Sequence, residues 1–307
     1  MLLPAPVRRL LLVPVVVVIA GALAALTPAV ALLNAAYDLL RRRTRPGHAR
    51  RGRLVRVAWM GLAWSAGETA ALTVFLCLWL VSGFGGRLDT EPYQARHYAV
   101  MKWFLDLVYR AARRACGLRV TVTGPQARLP RSDRPLIVLS RHAGPGDSLL
   151  IVHYLLAACE RRPRVVMKAT MQLDPSVDIL ANRLPNAFLR RAANAGSMTA
   201  ARQRTEQIRR LAAGMNQPGV SQYGALLIFP EGGNWPPQRW PRAIGRLNRP
   251  GRAARAARAA ARPNVLPPHA AGALAAIAAC PAADVVFVAH TGLDRLVSVR
   301  DVWRGLL

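Results

Sequence analysis

Two short stretches of this chain carry side chains able to do acid–base chemistry. The first is Ser140-Arg141-His142-Ala143-Gly144-Pro145-Gly146-Asp147. An imidazole titrates near neutrality, and a carboxylate bonded to one ring nitrogen fixes its tautomer and stabilises its charged form. The other nitrogen is then free to take a proton from an alcohol. The Gly-Pro-Gly turn lets the backbone fold sharply enough for His142 and Asp147 to approach one another. Alone, His-x-x-x-x-Asp also has a plainer reading, in which Asp147 caps a helix and His142 is a loop residue. The second stretch is Leu227-Ile228-Phe229-Pro230-Glu231-Gly232-Gly233-Asn234-Trp235. Here Pro230 ends an apolar run and an acid is followed by two glycines. Glycines permit close backbone approach to a ligand, and exposed N–H groups can hold an anion. Glu231 could bind a substrate hydroxyl, although an ordinary strand-to-loop exit has the same composition.

Both stretches need elements to position them. Residues 135–140 (PLIVLS) read as a buried strand and 147–158 as the helix after it. Residues 225–229 (ALLIF) read as a second buried strand, so each stretch lies just past a strand end. Ligands gather at the carboxyl ends of strands in a parallel sheet. Further strands are expected at 118–122, 165–167 and 285–289, and helices at 98–116, 198–215 and 271–279. Apolar runs alternating with helices predict an α/β fold with a largely parallel central sheet flanked by helices. Residues 235–263 differ: Arg239, Arg242, Arg246, Arg249, Arg252, Arg255, Arg258 and Arg262 recur there, several at three-residue spacing. A solvated helix and a basic surface lying on anionic headgroups both fit that pattern.

The N-terminal third has another character. Residues 10–37 carry no formal charge, and 57–86 are apolar apart from Glu68. About 20 apolar helical residues suffice to span a bilayer core. Pro14 and Pro28 could kink the first span, and Glu68 should face protein or water rather than lipid. Ala29-Val30-Ala31 mimics a signal cleavage site, but the apolar run is long for a secretory signal. The expected layout is an N-terminal two-helix membrane hairpin with an Arg-rich loop over 1–90 and a catalytic domain over 91–307. The loop, from Arg41 to Arg56, is placed in the cytoplasm by the positive-inside rule. Two full spans would leave the remainder of the chain outside, whereas a shallow hairpin in the cytosolic leaflet keeps it cytoplasmic.

The formal net charge is +28, and all but two of the 43 Lys+Arg residues are arginine, the exceptions being Lys102 and Lys168. Such a surplus attracts phosphate on lipid, coenzyme or nucleic acid. With no helix-turn-helix, zinc-finger or RNA-binding signature, no nucleic acid is expected as a partner. Anionic membrane lipid fits better, because the basic residues accompany long apolar segments. The four cysteines, Cys77, Cys116, Cys159 and Cys280, form no C-x-x-C pair, which argues against a disulfide framework or metal site.

Taken together, His142…Asp147 and Phe229-Pro230-Glu231-Gly232, in that order, make residues 95–295 resemble the 1-acylglycerol-3-phosphate acyltransferase family of glycerolipid enzymes. Val265-Leu266-Pro267-Pro268 is similar to the family's final V-x-P block, which packs near the acyl site. The resemblance implies that His142 deprotonates the free hydroxyl of a lysophospholipid while Asp147 orients the imidazole. The product would be phosphatidate if lysophosphatidate is the acceptor. The acyl donor would be acyl-CoA or acyl carrier protein, a co-substrate, with no bound cofactor or metal needed. Glu231, Gly232, Gly233 and Asn234 would contact the acceptor, and Pro267 would lie close by. A middle basic block of the family maps onto Lys168 or Arg190-Arg191. The family usually continues F-P-E-G-T-R, whereas this chain has Gly233 and Asn234. Asn cannot make the paired, charge-assisted bonds of a guanidinium to phosphate, so Arg239 or Arg242 would substitute, or the acceptor differs. The implied location is the bacterial inner membrane, with the catalytic domain facing the cytoplasm. Glycerol-3-phosphate and larger-headgroup lysophospholipids remain alternative acceptors, and a non-catalytic basic membrane-surface protein is the alternative class.

Overall fold

A computed structural model describes residues 2–44, 53–124, 133–189, 198–217, 219, 223–233, 239–247 and 253–293. In chain order the elements begin with α1 (Ala5–Thr44), α2 (Arg53–Val81) and α3 (Glu91–Cys116). Then follow β1 (Leu136–Ser140), α4 (Pro145–Ala157), β2 (Arg162–Lys168), α5 (Pro175–Arg183) and β3 (Ala187–Leu189). The last are α6 (Met198–Ala213), β4 (Gly224–Ile228), α7 (Arg239–Leu247), α8 (Ala253–Ala260), α9 (Ala270–Ala279) and β5 (Asp284–Val288). They form two compact units. The first takes in Met1–Ala127 and Thr170–Leu184, and the second Arg128–Ala169 and Pro185–Gly305.

The first unit is helical. Ala5–Tyr37 and Leu54–Val81 are long and apolar enough to cross a bilayer by length and composition, which points to membrane association. Leu10, Val18, Leu32 and Leu33 of α1 are exposed, as they would be against lipid. The helix runs on through Pro14 and Pro28. Glu68 is buried in protein. The short α5 has a clear start: Asp174 accepts the Val177 N–H at 2.9 Å and Pro175 opens the first turn. Its Asp178 is fully buried and bonded by two guanidiniums, Arg8 at 2.5 Å and Arg9 at 2.7 Å, which offset the cost of burying the charge. The strand expected at 118–122 is absent. Gly117 ends α3 in the left-handed conformation, and the segment that follows runs irregularly with Val120 and Val122 exposed and no strand paired with them among the described residues.

The second unit is built on a parallel sheet of order β3-β2-β4-β1-β5. β1 and β4 are buried at every residue, which is why their sequences are continuous apolar runs rather than alternating ones. Ile137, Leu139, Leu226 and Ile228 pack with Ile208, Ala212 and Met215 from α6 and its end, and with Ala273 and Ala276 of α9. The α9 face is made of small residues and approaches α6 closely, since a Cβ on Gly272 would meet Ile208 Cδ1 at 2.7 Å. The strand register positions the site. Leu139 lies level with Ile228 and with Phe287, and Ser140 with Val288. The segments after β1, β4 and β5 therefore leave the sheet side by side at its carboxyl edge. Of the strands, only the three-residue β3 has no expected counterpart, being too short to carry a periodic signal. The Arg-rich segment holds two short helices, α7 and α8.

Candidate active site

β1 delivers His142 just beyond its last residue, and α4 starts three residues later. The carboxylate of Asp147, in the first turn of α4, turns back toward the loop. Its Oδ1 lies 3.0 Å from His142 Nδ1. Its Oδ2 accepts the N–H groups of Ala143 at 2.6 Å and Gly144 at 3.0 Å. The helix-start contacts and the contact with the imidazole therefore coexist on one carboxylate. It satisfies donors that the helix start leaves open and holds the imidazole. Burial pushes the Asp147 carboxyl up, but the bonds from His142, His290 and the Gly144 N–H outweigh it and hold the group well below the usual carboxylate range. An ionised carboxylate only accepts, so His142 carries its proton on Nδ1 and Nε2 is left as the basic atom. The ring is 15% exposed and rests against Phe229 with centroids 4.4 Å apart, so the imidazole is sheltered but reachable.

β4 delivers the second motif to the same edge. Glu231 Oε1 accepts the His142 backbone N–H at 3.3 Å, and Oε2 accepts the Leu266 N–H at 3.0 Å. Burial pushes the Glu231 carboxyl above its ordinary value against the pull of these two bonds. With both oxygens engaged by main chain, Glu231 is a tie between three segments as well as a candidate ligand. Gly232 has φ +69°, a left-handed conformation that favours glycine, and its open side is occupied: a Cβ there would meet His269 Cδ2 at 3.3 Å. At Gly233 a Cβ would lie 2.8 Å from Nη1 of Arg239, so that guanidinium stands where a side chain would otherwise be. The His269 N–H donates to Pro230 O at 2.8 Å, which sets Pro267 between two residues bonded to the bend.

Among the expected site residues, His142, Asp147, Glu231, Gly232, Gly233 and Pro267 come together. Lys168 is exposed at the end of β2, on the same edge but separated from β1 by β4. Asn234, Arg190 and Arg191 lie outside the described residues. His290, for which the sequence offered no partner, proves to have one: its Nε2 is 3.4 Å from Asp147 Oδ2 and 3.2 Å from Arg141 O. The available signal was its place just past the expected 285–289 strand, where ligand-facing residues collect. Leu266 is the other residue missed, since a backbone N–H leaves no trace in side-chain chemistry.

Comparison with known proteins identifies a family. A family model described as Acyltransferase matches residues 119–288, more than half of the chain. No curated protein and no solved structure matches it.

Proposed function

We infer the function from one premise: this chain belongs to the Acyltransferase family, and its general activity is acyl transfer to oxygen. We propose that it moves a fatty acyl group from a thioester donor, acyl-CoA or acyl carrier protein, to the free glycerol hydroxyl of a lysophospholipid. Lysophosphatidate, giving phosphatidate, is the acceptor that fits best. His142 Nε2 takes the hydroxyl proton, and the alkoxide oxygen attacks the thioester carbonyl carbon. The C–S bond then breaks and the thiolate leaves with the proton returned by the imidazolium. Asp147 keeps the imidazole in the required tautomer and stabilises its charged form. The side chains of His142, Asp147, Glu231 and Arg239 supply this chemistry with no bound cofactor or metal.

The observation that carries the reading is the His142 Nδ1–Asp147 bond at 3.0 Å, which leaves Nε2 outside that pair. A phosphate-bearing acceptor is favoured by Arg239 at Gly233, which brings a guanidinium to the bend despite Asn234. The N-terminal helices over 1–90 anchor the protein in a bacterial inner membrane, the arginines hold anionic headgroups, and the catalytic domain over 91–307 faces the cytoplasm. Thiol release from acyl-CoA, measured with lysophosphatidate, glycerol-3-phosphate and a lysophospholipid of larger headgroup, tests the proposal. Turnover with lysophosphatidate supports it. Turnover with larger headgroups alone reassigns the acceptor, and lipid binding without turnover points to a non-catalytic surface protein.

A further inference from the structure

His290 lies two residues beyond the end of β5 and beyond the segment matched by the family model. The pairing of Ser140 with Val288 sets it beside the loop that carries His142. Three bonds lock the two segments together. The Arg141 N–H donates to Val288 O at 3.1 Å, Arg141 Nη1 donates to His290 O at 2.9 Å, and His290 Nε2 lies 3.2 Å from Arg141 O. The same Nε2 is at ion-pair distance, 3.4 Å, from Asp147 Oδ2. A carbonyl and an ionised carboxylate both only accept, so Nε2 carries a proton in either charge state. The second proton is therefore taken on Nδ1, which is buried and has no hydrogen-bond partner among the described residues.

We propose that His290 is a positioning residue for the acid–base pair, a second imidazole on Asp147 that steadies the carboxylate and, when protonated, lowers the basicity of His142. The proposal rests on the reading of His142 as the base. The charged and titratable groups that bear on His290 among the described residues are Asp147 from α4, Arg141 from the β1–α4 loop, and His142 across the shared carboxylate. The Asp147 bond raises the His290 imidazole above its ordinary value, helped by the bond to the Arg141 carbonyl and opposed by burial and the Arg141 charge. One carboxylate cannot fully stabilise two imidazolium ions. A positive charge on His290 draws on the negative charge that would otherwise favour protonated His142. Removing it must therefore move the His142 midpoint upward.

The test is an NMR titration of the histidine ring signals in the full chain in neutral detergent, for wild type, His290→Gln and His290→Ala. The His142 midpoint is expected to rise by about half a pH unit or more in both variants. A midpoint that stays in place in either variant overturns the proposal. Turnover gives the second readout. The acid limb of the pH–rate profile moves in the same direction, and on the alkaline plateau Gln, which can still donate to Asp147, retains turnover while Ala loses about tenfold. Equal plateau losses in Gln and Ala overturn the positioning role. Absence of acyl transfer in wild type would instead count against the proposed function, and the NMR titration would still decide the fate of His290.

Discussion

Glu231 Oε1 accepts the backbone N–H of His142 at 3.3 Å, so the acid of one motif is bonded to the main chain of the other. Its second oxygen holds the Leu266 N–H, which extends the tie to the loop containing Pro267. The segment carrying His142, the glycine bend and this third loop are thereby fixed to one buried carboxylate.

Glu231→Gln offers one acceptor oxygen where two N–H groups are served from opposite sides. Stability is expected to fall by about 1–3 kcal/mol, the cost of leaving a buried donor unpaired. The change in denaturant midpoint measures it. A variant as stable as wild type would show that the tie contributes nothing.

His142→Ala removes the proposed base. Turnover of acyl-CoA in the presence of lysophosphatidate should drop by roughly 100- to 10,000-fold, with the fold intact by circular dichroism. Full turnover in this variant would end the mechanism.

Asp147→Asn should lower turnover and also change the acid stability of the protein. The Asp147 carboxyl titrates lower in the folded chain than in the unfolded one. Its contribution is therefore complete above the unfolded value near pH 4 and is lost as pH falls from there through the folded value. Wild type should lose melting temperature more steeply than the variant as pH drops below about 4. Parallel curves would contradict the assignment.

Arg239→Gln should raise KM for a phosphate-bearing acceptor by about tenfold, one lost charge-assisted contact, with little change in kcat. Gly233→Ala should act in the same direction, because its methyl group meets the Arg239 guanidinium. An unchanged KM for lysophosphatidate in both variants would remove Arg239 from the acceptor site.

Leu226→Ala in the centre of β4, where the side chain is fully buried, should cost about 2–5 kcal/mol in a denaturation experiment. A smaller loss would mean that the core around β1 and β4 collapses readily around the gap.

Elements with a local and long signal were legible in the chain alone. The apolar runs at 135–140 and 225–229 announced strands buried on both faces, and the uncharged N-terminal run announced a helix fit for a bilayer. His142, Asp147 and Glu231 were legible because each sits in a turn just past such a strand. Tertiary structure decided what depends on pairing between distant segments. Residues 118–122 have the composition of a strand and form none, because strand structure needs a neighbour to bond. β3 forms from three residues because β2 lies beside it. His290 is 148 positions from His142 in the chain, and only the β1–β5 register brings it to Asp147. The approach of the Arg239 guanidinium to Gly233 is likewise not fixed by any spacing visible in the chain. Local pattern fixes which residues can do chemistry, whereas the sheet register fixes which of them meet.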